Sequence, residues 1–130
     1  MRYLGLDIGT RRTGVAYADD ATGIPLPLET ISHDSFDDLM IALDELITKR
    51  KIDYIVVGLP RLLSGEEGSQ AQLVRGFSER MKSKWNLPLT LIDERYSTPS
   101  RGDSEMTRNR KSFDPDSTAA TALLGVFLKG

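Results

Sequence analysis

Apolar and polar residues alternate in two short runs at the start of the chain. Tyr3 to Ile8 and Thr13 to Ala18 flank the polar stretch "GTRR", a pattern that predicts a β-hairpin. Leu28 to Ile31 is a candidate third strand beside them. The apolar runs "DYIVVGLP" and "LPLTLIDE" each end in turn-forming or polar residues, which is typical of buried strands in a parallel sheet. The pattern therefore predicts five strands.

Segments with helical periodicity lie between the later predicted strands and after the last one. The stretch "SFDDLMIALDELITKRK" carries apolar residues at helical spacing, with Ser35 as the predicted N-cap and Asp38 three residues later. A third helix, "DPDSTAATALLGVFLK", begins with Asp114 as N-cap and Pro115 at the first helical position. Between them, the segment after "SGEEGS" predicts a second helix with one apolar stripe, made of Ala71, Val74, Phe77 and Met81.

The order of these elements restricts the topology. Strands joined through helices need right-handed crossovers, so the first, fourth and fifth strands are predicted to be parallel neighbours. The second and third strands then add antiparallel at one edge. We expect an α/β fold with one mixed five-stranded sheet, in the order 3-2-1-4-5, flanked by helices. At 130 residues and 39% hydrophobic, the chain is expected to form a single domain over residues 1–130.

Composition excludes several classes of chemistry. The chain has no cysteine, so it offers no thiolate nucleophile and no cysteine-based zinc site, and a single histidine, His33, argues against histidine-centred triads. No 18-residue apolar run and no signal-peptide pattern is present, which predicts a cytoplasmic protein without a membrane partner. With a net charge of -2, any nucleic-acid surface must be a local basic patch.

Acidic residues stand at three places where strand and helix ends should meet. Asp7 interrupts the apolar first strand, and the adjacent Asp93 and Glu94 end the last strand with side chains on opposite faces, so only one of them can join Asp7. Asp116 lies one turn before Ala120, on the stripe of the last helix that should face the sheet. Ligands of open α/β sheets bind at this carboxyl edge of the strands.

Each acid also has a simpler interpretation. Asp7 could bond turn amides, Asp93 and Glu94 could form an exposed pair, and Asp116 could serve the dipole of its helix. If the acids do converge, cations must neutralise their repulsion. Oxygen ligands suit Mg²⁺ or Mn²⁺, and two such ions can activate water and stabilise the leaving oxygen of a phosphodiester.

Four motifs, "LGLDIGTRRTGVAYAD", "IVVGLPRLLSGEEGSQAQ", "IDERYST" and "DPDSTAATALL", in this order resemble the YqgF/RuvX family of ribonuclease H-like nucleases over nearly the whole chain. The resemblance implies an RNase H-like fold and a two-metal Mg²⁺ or Mn²⁺ site. Its catalytic and metal-binding residues would be Asp7, Glu94 and Asp116, with Asp93 in support. It also implies 5′-end maturation of pre-16S rRNA in ribosome biogenesis, or cleavage of branched DNA by a Holliday junction resolvase-like activity.

The chain departs from the family pattern at two places. Thr13 stands where family members usually carry an aliphatic residue. The stretch "STPSRGDSEMTRNRKSF" is shorter than its family counterpart and is broken by Pro99 and Gly102. This second departure affects the expected substrate and activity more than the fold.

Basic residues near the predicted strand ends are candidates for contacts with structured RNA or branched DNA. Each could be an ordinary solvated loop charge, but together they would hold phosphates around one cleft. The set comprises Arg11, Arg12, Arg61, Arg95, Arg108, Arg110 and Lys111. Monomer and homodimer are both compatible with the sequence.

Three hypotheses from different classes follow. The first is a metal-dependent nuclease acting on structured RNA or junction DNA. The second is a catalytically silent nucleic-acid or ribosome-assembly binder. The third is a nucleotide-binding phosphotransferase, because "LDIGT" also resembles the phosphate loop of sugar kinases and actin-like ATPases. Those enzymes close two domains around the nucleotide, whereas this chain supplies one.

Overall fold

The computed structural model describes residues 1–94 and 115–129, without the side chains of residues 115 and 116. The elements are β1 (Arg2–Ile8), β2 (Arg12–Asp19), β3 (Leu26–Pro27), β4 (Ile31–Ser32), α1 (Phe36–Arg50), β5 (Tyr54–Leu59), α2 (Ser69–Trp85), β6 (Leu89–Asp93) and α3 (Pro115–Lys129). The sheet has the order β3-β2-β1-β5-β6, with β4 also paired to β2, and β1, β5 and β6 run parallel. The predicted α/β architecture with a mixed, helix-flanked sheet is confirmed.

The predicted third strand, Leu28 to Ile31, is wrong in its bounds. Two strands of two residues each, β3 and β4, flank residues 28–30, so the described sheet has six strands instead of the predicted five. The Leu28 amide still donates to the Val15 carbonyl oxygen at 2.8 Å, but the Thr30 hydroxyl lies 3.0 Å from the Ser117 hydroxyl of α3. Pro27 also lacks an amide proton for the ladder. The chain therefore leaves the sheet edge towards α3 before it pairs again as β4.

Capping residues are found at the ends of the first two helices. The Ser35 hydroxyl accepts a hydrogen bond from the Asp38 amide at 3.1 Å, as the N-cap prediction requires. Lys51 and Asn86, which directly follow α1 and α2, adopt the left-handed backbone conformation that commonly terminates helices. The predicted stripe of α2 is buried at all four positions, Ala71, Val74, Phe77 and Met81.

The two faces of the sheet are covered differently. Helices α1 and α2 cover one face over a core of large aliphatic side chains. Helix α3 covers the other face, where Ala16 and Ala18 of β2 are buried together with Ala120 of the helix. A Cβ atom on Gly5 would lie 2.6 Å from Leu124 Cγ and 3.1 Å from the Ala120 carbonyl oxygen. Glycine at position 5 therefore allows α3 to lie close to the sheet.

Thr13, the residue that departs from the family pattern, is completely buried and has a polar partner. Its hydroxyl lies 2.9 Å from Nε2 of His33, which is also buried. Burial lowers the pKa of His33, which favours the neutral imidazole. The buried hydroxyl is thus satisfied, and this pair ties β2 to the segment that enters α1.

None of the helices in the described ranges is both long enough and apolar enough to cross a bilayer.

Candidate active site

Strand β1 places Asp7 at the carboxyl edge of the parallel strands. Asp7 pairs with Gly14 of β2 and is half-buried. On the other side of β1, Leu6 is in register with Val57 of β5, so the next pair along the two parallel strands is Asp7 and Gly58. Because side chains alternate along β1, Asp7 points to the same face as Gly5, which is the face covered by α3.

Glu94 reaches the same place from the end of β6. It follows Asp93, and Ile92 two residues earlier packs on the α3 face, so alternation directs Glu94 to that face as well. Gly58 lies between Glu94 and Asp7. A Cβ atom there would lie 2.8 Å from Glu94 Oε1 and 2.9 Å from Glu94 Cγ. The absence of a side chain at position 58 therefore leaves room for the Glu94 carboxyl group.

The carboxyl groups of Asp7 and Glu94 interact with each other. The pKa of Glu94 is raised from 4.5 to about 8; burial is the largest cause, followed by a hydrogen bond with Asp7 and by the negative charges of Asp7 and Asp93. At neutral pH and without a cation, Glu94 is therefore largely protonated. A proton stands where two ionised carboxylates would otherwise repel each other.

The first turn of α3 lies at the same edge. Ser117 is buried and donates a 2.7 Å hydrogen bond to the Leu28 carbonyl oxygen, while its hydroxyl oxygen accepts from the Val15 amide at 3.3 Å. Val15 is in register with Leu6, next to Asp7. The backbone of Asp116 precedes Ser117 and is thus held near the Asp7 end of β1; the Asp116 side chain lies outside the described part.

The donor set fits a hard divalent cation. Asp7 and Glu94 offer only carboxylate oxygens, the ligands that Mg²⁺ and Mn²⁺ prefer, and the raised pKa of Glu94 marks a place where a neighbouring positive charge would be stabilised. Among the side chains of residues 1–94 and 117–129, no group of three acids or histidines is close enough to hold a metal ion. A third protein ligand would have to come from outside this set, and Asp116 is the predicted one.

Asp93 and Arg61 lie on the other side of the β6 end. Arg61 Nε is 3.2 Å from Asp93 Oδ2, and Arg61 Nη1 is 3.5 Å from Glu67 Oε2. Glu67 in turn accepts two short hydrogen bonds from Arg75 of α2. The Arg61 side chain, predicted as a nucleic-acid contact, is thus engaged by two carboxylates.

The remaining basic residues fall into two groups. Arg11 and Arg12 are exposed in the β1–β2 hairpin, four and five residues beyond Asp7, and line one depression with Asp34 and Asp38. The other predicted contacts lie outside the described residues, together with the predicted N-cap Asp114. They are Arg95, Arg108, Arg110 and Lys111.

Three residues that support the site were not predicted from the sequence. Gly58 gives Glu94 its space, Ser117 anchors the start of α3, and the Gln70 amide group donates to the Ile8 carbonyl oxygen at 3.3 Å, beside Asp7. A serine on the apolar stripe of a helix was the one available signal. The other two depend on which strands are neighbours.

The comparisons with known proteins agree on one family. The family model RuvX, described as Holliday junction resolvase, matches residues 1–130. A protein of Moorella thermoacetica is 35% identical over 132 residues, which cover 98% of this chain and 94% of that one. A protein of Synechocystis sp. is 36% identical over 129 residues, covering 96% and 85%. Both relatives are named, provisionally, as pre-16S rRNA nucleases.

A solved structure shows the same fold at low identity. The RuvC structure of Thermus thermophilus superimposes with a TM-score of 0.70 at 12% identity, covering 98% of this chain and 94% of RuvC. The similarity supports the RNase H-like topology expected from the four motifs. Since the family model spans residues 1–130 and relatives above 30% identity match nearly end to end, the chain belongs to the RuvX family.

Proposed function

We propose that residues 1–130 form one cytoplasmic nuclease domain that hydrolyses phosphodiester bonds with Mg²⁺ or Mn²⁺ and acts in 5′-end maturation of pre-16S rRNA. The observation that carries this proposal is the meeting of Asp7 and Glu94. They come from strands that are distant in sequence and share one half-buried position at the carboxyl edge of a RuvX-family sheet. The names of the relatives support the RNA substrate.

The roles of the acids follow from their placement. Asp7, Glu94 and Asp116 would hold the cations, two of them in the full site. The bound metals would supply Lewis acidity, which polarises the phosphodiester and offsets the charge that develops on its oxygens. Glu94 must give up its proton for this, because a protonated carboxyl group is a poor ligand. Gly58 and α3 keep the two described carboxyl groups close together and partly shielded from solvent.

Substrate binding would use positive charge around this edge. Arg11 and Arg12 are exposed on the hairpin that follows Asp7, where they can contact phosphates on one side of the acids. Arg95, Arg108, Arg110 and Lys111 are the predicted contacts between β6 and α3. Such contacts position the backbone without reading its sequence, which suits a substrate recognised by its structure.

Branched DNA is the second candidate substrate, because the family is described by Holliday junction resolution. RNA and DNA offer the same phosphodiester to the acids, so the chemistry of the site does not choose between them. The surface around the site must therefore determine the preference for RNA or DNA. Measuring this preference requires both substrates in one assay.

The test is a cleavage assay with Mn²⁺ on a labelled pre-16S rRNA fragment, a four-way DNA junction and a linear duplex, side by side. We expect cleavage of the RNA fragment. Asp7→Asn should lower the rate by more than the roughly 10–100-fold typical of outer-shell partners, because it removes a ligand charge. Asp20→Asn is the matched control, since Asp20 is exposed beside the amino end of β1, at the opposite end of that strand from Asp7.

Cleavage by Asp7→Asn at the wild-type rate would refute the metal-site assignment. Cleavage of the junction alone would move the substrate to branched DNA. Binding of RNA without cleavage under any divalent cation would favour the silent binder.

A further inference from the structure

The Arg61 guanidinium lies in an acidic environment. Its Nε is 3.2 Å from Asp93 Oδ2 and its Nη1 is 3.5 Å from Glu67 Oε2, while the same Nη1 donates to the Gly65 carbonyl oxygen at 3.4 Å. The Nε–H is not directed at an acceptor within the described part of the chain, so its contact with Asp93 is an ion pair rather than a hydrogen bond. Only 27% of the Arg61 side chain is exposed.

This environment is unsuitable for a nucleic-acid phosphate. A phosphate approaching Arg61 would face the negative charges of Asp93 and Glu67, so attraction to one cation is opposed by repulsion from two anions. Arg11 and Arg12 also lie near two carboxylates, those of Asp34 and Asp38, but both arginines are exposed on the hairpin. All three arginines lie near predicted strand ends in the sequence, but Arg61 is less exposed and is paired with two carboxylates.

Arg61 also belongs to a chain of alternating charges that links α2 to β6. Arg75 donates to both carboxylate oxygens of Glu67, at 2.6 and 2.7 Å, and Glu67 pairs with Arg61, which pairs with Asp93. The Asp93 side chain is only 12% exposed, and a buried carboxylate that loses its cation is costly. The ion pair therefore fixes the end of β6 against the loop that follows β5.

Glu94 is the next residue after Asp93 and points to the opposite face. We propose that Arg61 is a positioning residue: by holding Asp93 and offsetting its charge, it fixes the strand end from which Glu94 reaches Asp7. This inference rests on the proposed function, because it assigns Arg61 to the metal site. It gives Arg61 no contact with the substrate.

The test compares Arg61→Met, Arg61→Lys and the wild-type protein by calorimetric titration with Mn²⁺ alone. Arg61→Met keeps an unbranched side chain about as long as the aliphatic part of arginine and removes the charge, so we expect Mn²⁺ affinity to fall by roughly 10–100-fold, the range for outer-shell partners. Arg61→Lys should recover most of that loss. Arg80→Met is the matched control, because it removes a similarly short arginine–aspartate pair, with Asp37, on the exposed side of α2.

A second measurement separates positioning from phosphate binding. Affinity for a labelled four-way DNA junction is measured in EDTA over a series of salt concentrations. A positioning residue leaves the slope of log affinity against log salt unchanged, whereas loss of one phosphate contact reduces it by about 0.9. A reduced slope with unchanged Mn²⁺ affinity in Arg61→Met would overturn the proposal.

If the wild-type protein binds no Mn²⁺, the proposed function fails. Whether Arg61 holds Asp93 is then decided by urea unfolding of Arg61→Met, Asp93→Asn and the double variant. Non-additive changes in stability would support that contact, and additive changes would overturn it.

Discussion

The face of the sheet covered by α1 and α2 is packed with large aliphatic side chains, whereas the face under α3 combines small residues and an aromatic cluster with the carboxyl groups. Leu4 and Leu6 of β1 are fully buried on the first face, while Gly5 and Asp7 of the same strand point to the second. Apolar burial on the first face supplies stability. The second face contributes less aliphatic burial and instead brings a helix close to two acids.

This difference shows how one strand can contribute both to the stability of the fold and to the acidic site. Because side chains alternate, β1 contributes to the aliphatic core through every second residue and to the site through the others. A substitution on one face should then change stability, and a substitution on the other should change cation binding.

The largest effect on stability is expected from Leu43→Ala. Leu43 of α1 is fully buried in the aliphatic core, so its truncation should lower the free energy of unfolding by about 2–5 kcal/mol. Urea unfolding measures this loss. Ile41→Ala is the control, since Ile41 of the same helix is 68% exposed and its loss should cost less than about 0.5 kcal/mol.

Mn²⁺ titration of folded Leu43→Ala should give the wild-type affinity. A large loss of Mn²⁺ affinity in this variant would show that the two faces are not separable.

Gly58→Ala should have the opposite effect to Leu43→Ala: it should reduce Mn²⁺ affinity more than stability. The added methyl group would lie 2.8 Å from Glu94 Oε1 and 2.7 Å from Leu123 Cδ1, so the Glu94 side chain must move. We expect Mn²⁺ affinity to fall by about tenfold or more, with a smaller loss of stability. Calorimetric titration and urea unfolding give the two quantities.

Gly76→Ala is the matched control for that change. Gly76 is at an exposed position of α2, and a Cβ atom there would meet no other atom within 4 Å, so alanine should stabilise the helix by about 0.5–1 kcal/mol and leave Mn²⁺ affinity unchanged. Wild-type affinity in Gly58→Ala would refute the role assigned to the space at position 58.

A smaller effect is expected in the pH dependence of stability without metal. Because the pKa of Glu94 is raised from 4.5 to about 8 in the folded protein, its contribution to stability is present below pH 4.5 and is lost as the pH rises through about 8. Solvent screening limits its size, since the group is only half-buried. Glu94→Gln should therefore lose less stability than the wild type between these pH values.

Thermal unfolding of both proteins in EDTA across this range measures the difference. Mn²⁺ should restore stability to the wild-type protein most strongly at the upper end, where the proton no longer competes with the cation. Parallel pH profiles for the two proteins would contradict the raised pKa of Glu94.

The sequence predicts elements whose signals are local. Ser35 lies at the start of α1 because its hydroxyl caps the helix, and the stripe of α2 follows directly from apolar spacing. The convergence of Asp7 and Glu94 also follows from order, since parallel strands end at one edge. The third strand was predicted less well, because Thr30 is drawn to Ser117, a residue 87 positions away.

The supporting residues of the site could not be predicted for the same reason. Gly58 matters only because the Glu94 side chain crosses it, and Arg61 matters because Asp93 lies beside it. Neither contact leaves a periodic or local trace in the sequence. In the sequence, Arg61 resembles Arg11 and Arg12 because all three lie near predicted strand ends. The structure distinguishes Arg61, whose side chain is paired with Asp93 and Glu67.

The most direct test of the account is calorimetric titration of Mn²⁺ into the metal-free wild-type protein and the variants Asp7→Asn, Glu94→Gln and Asp116→Asn. We expect saturable binding by the wild-type protein and a marked loss of affinity in each variant, with all variants folded by circular dichroism. Equal Mn²⁺ affinity in the wild type and the three variants would contradict a metal site built from these acids.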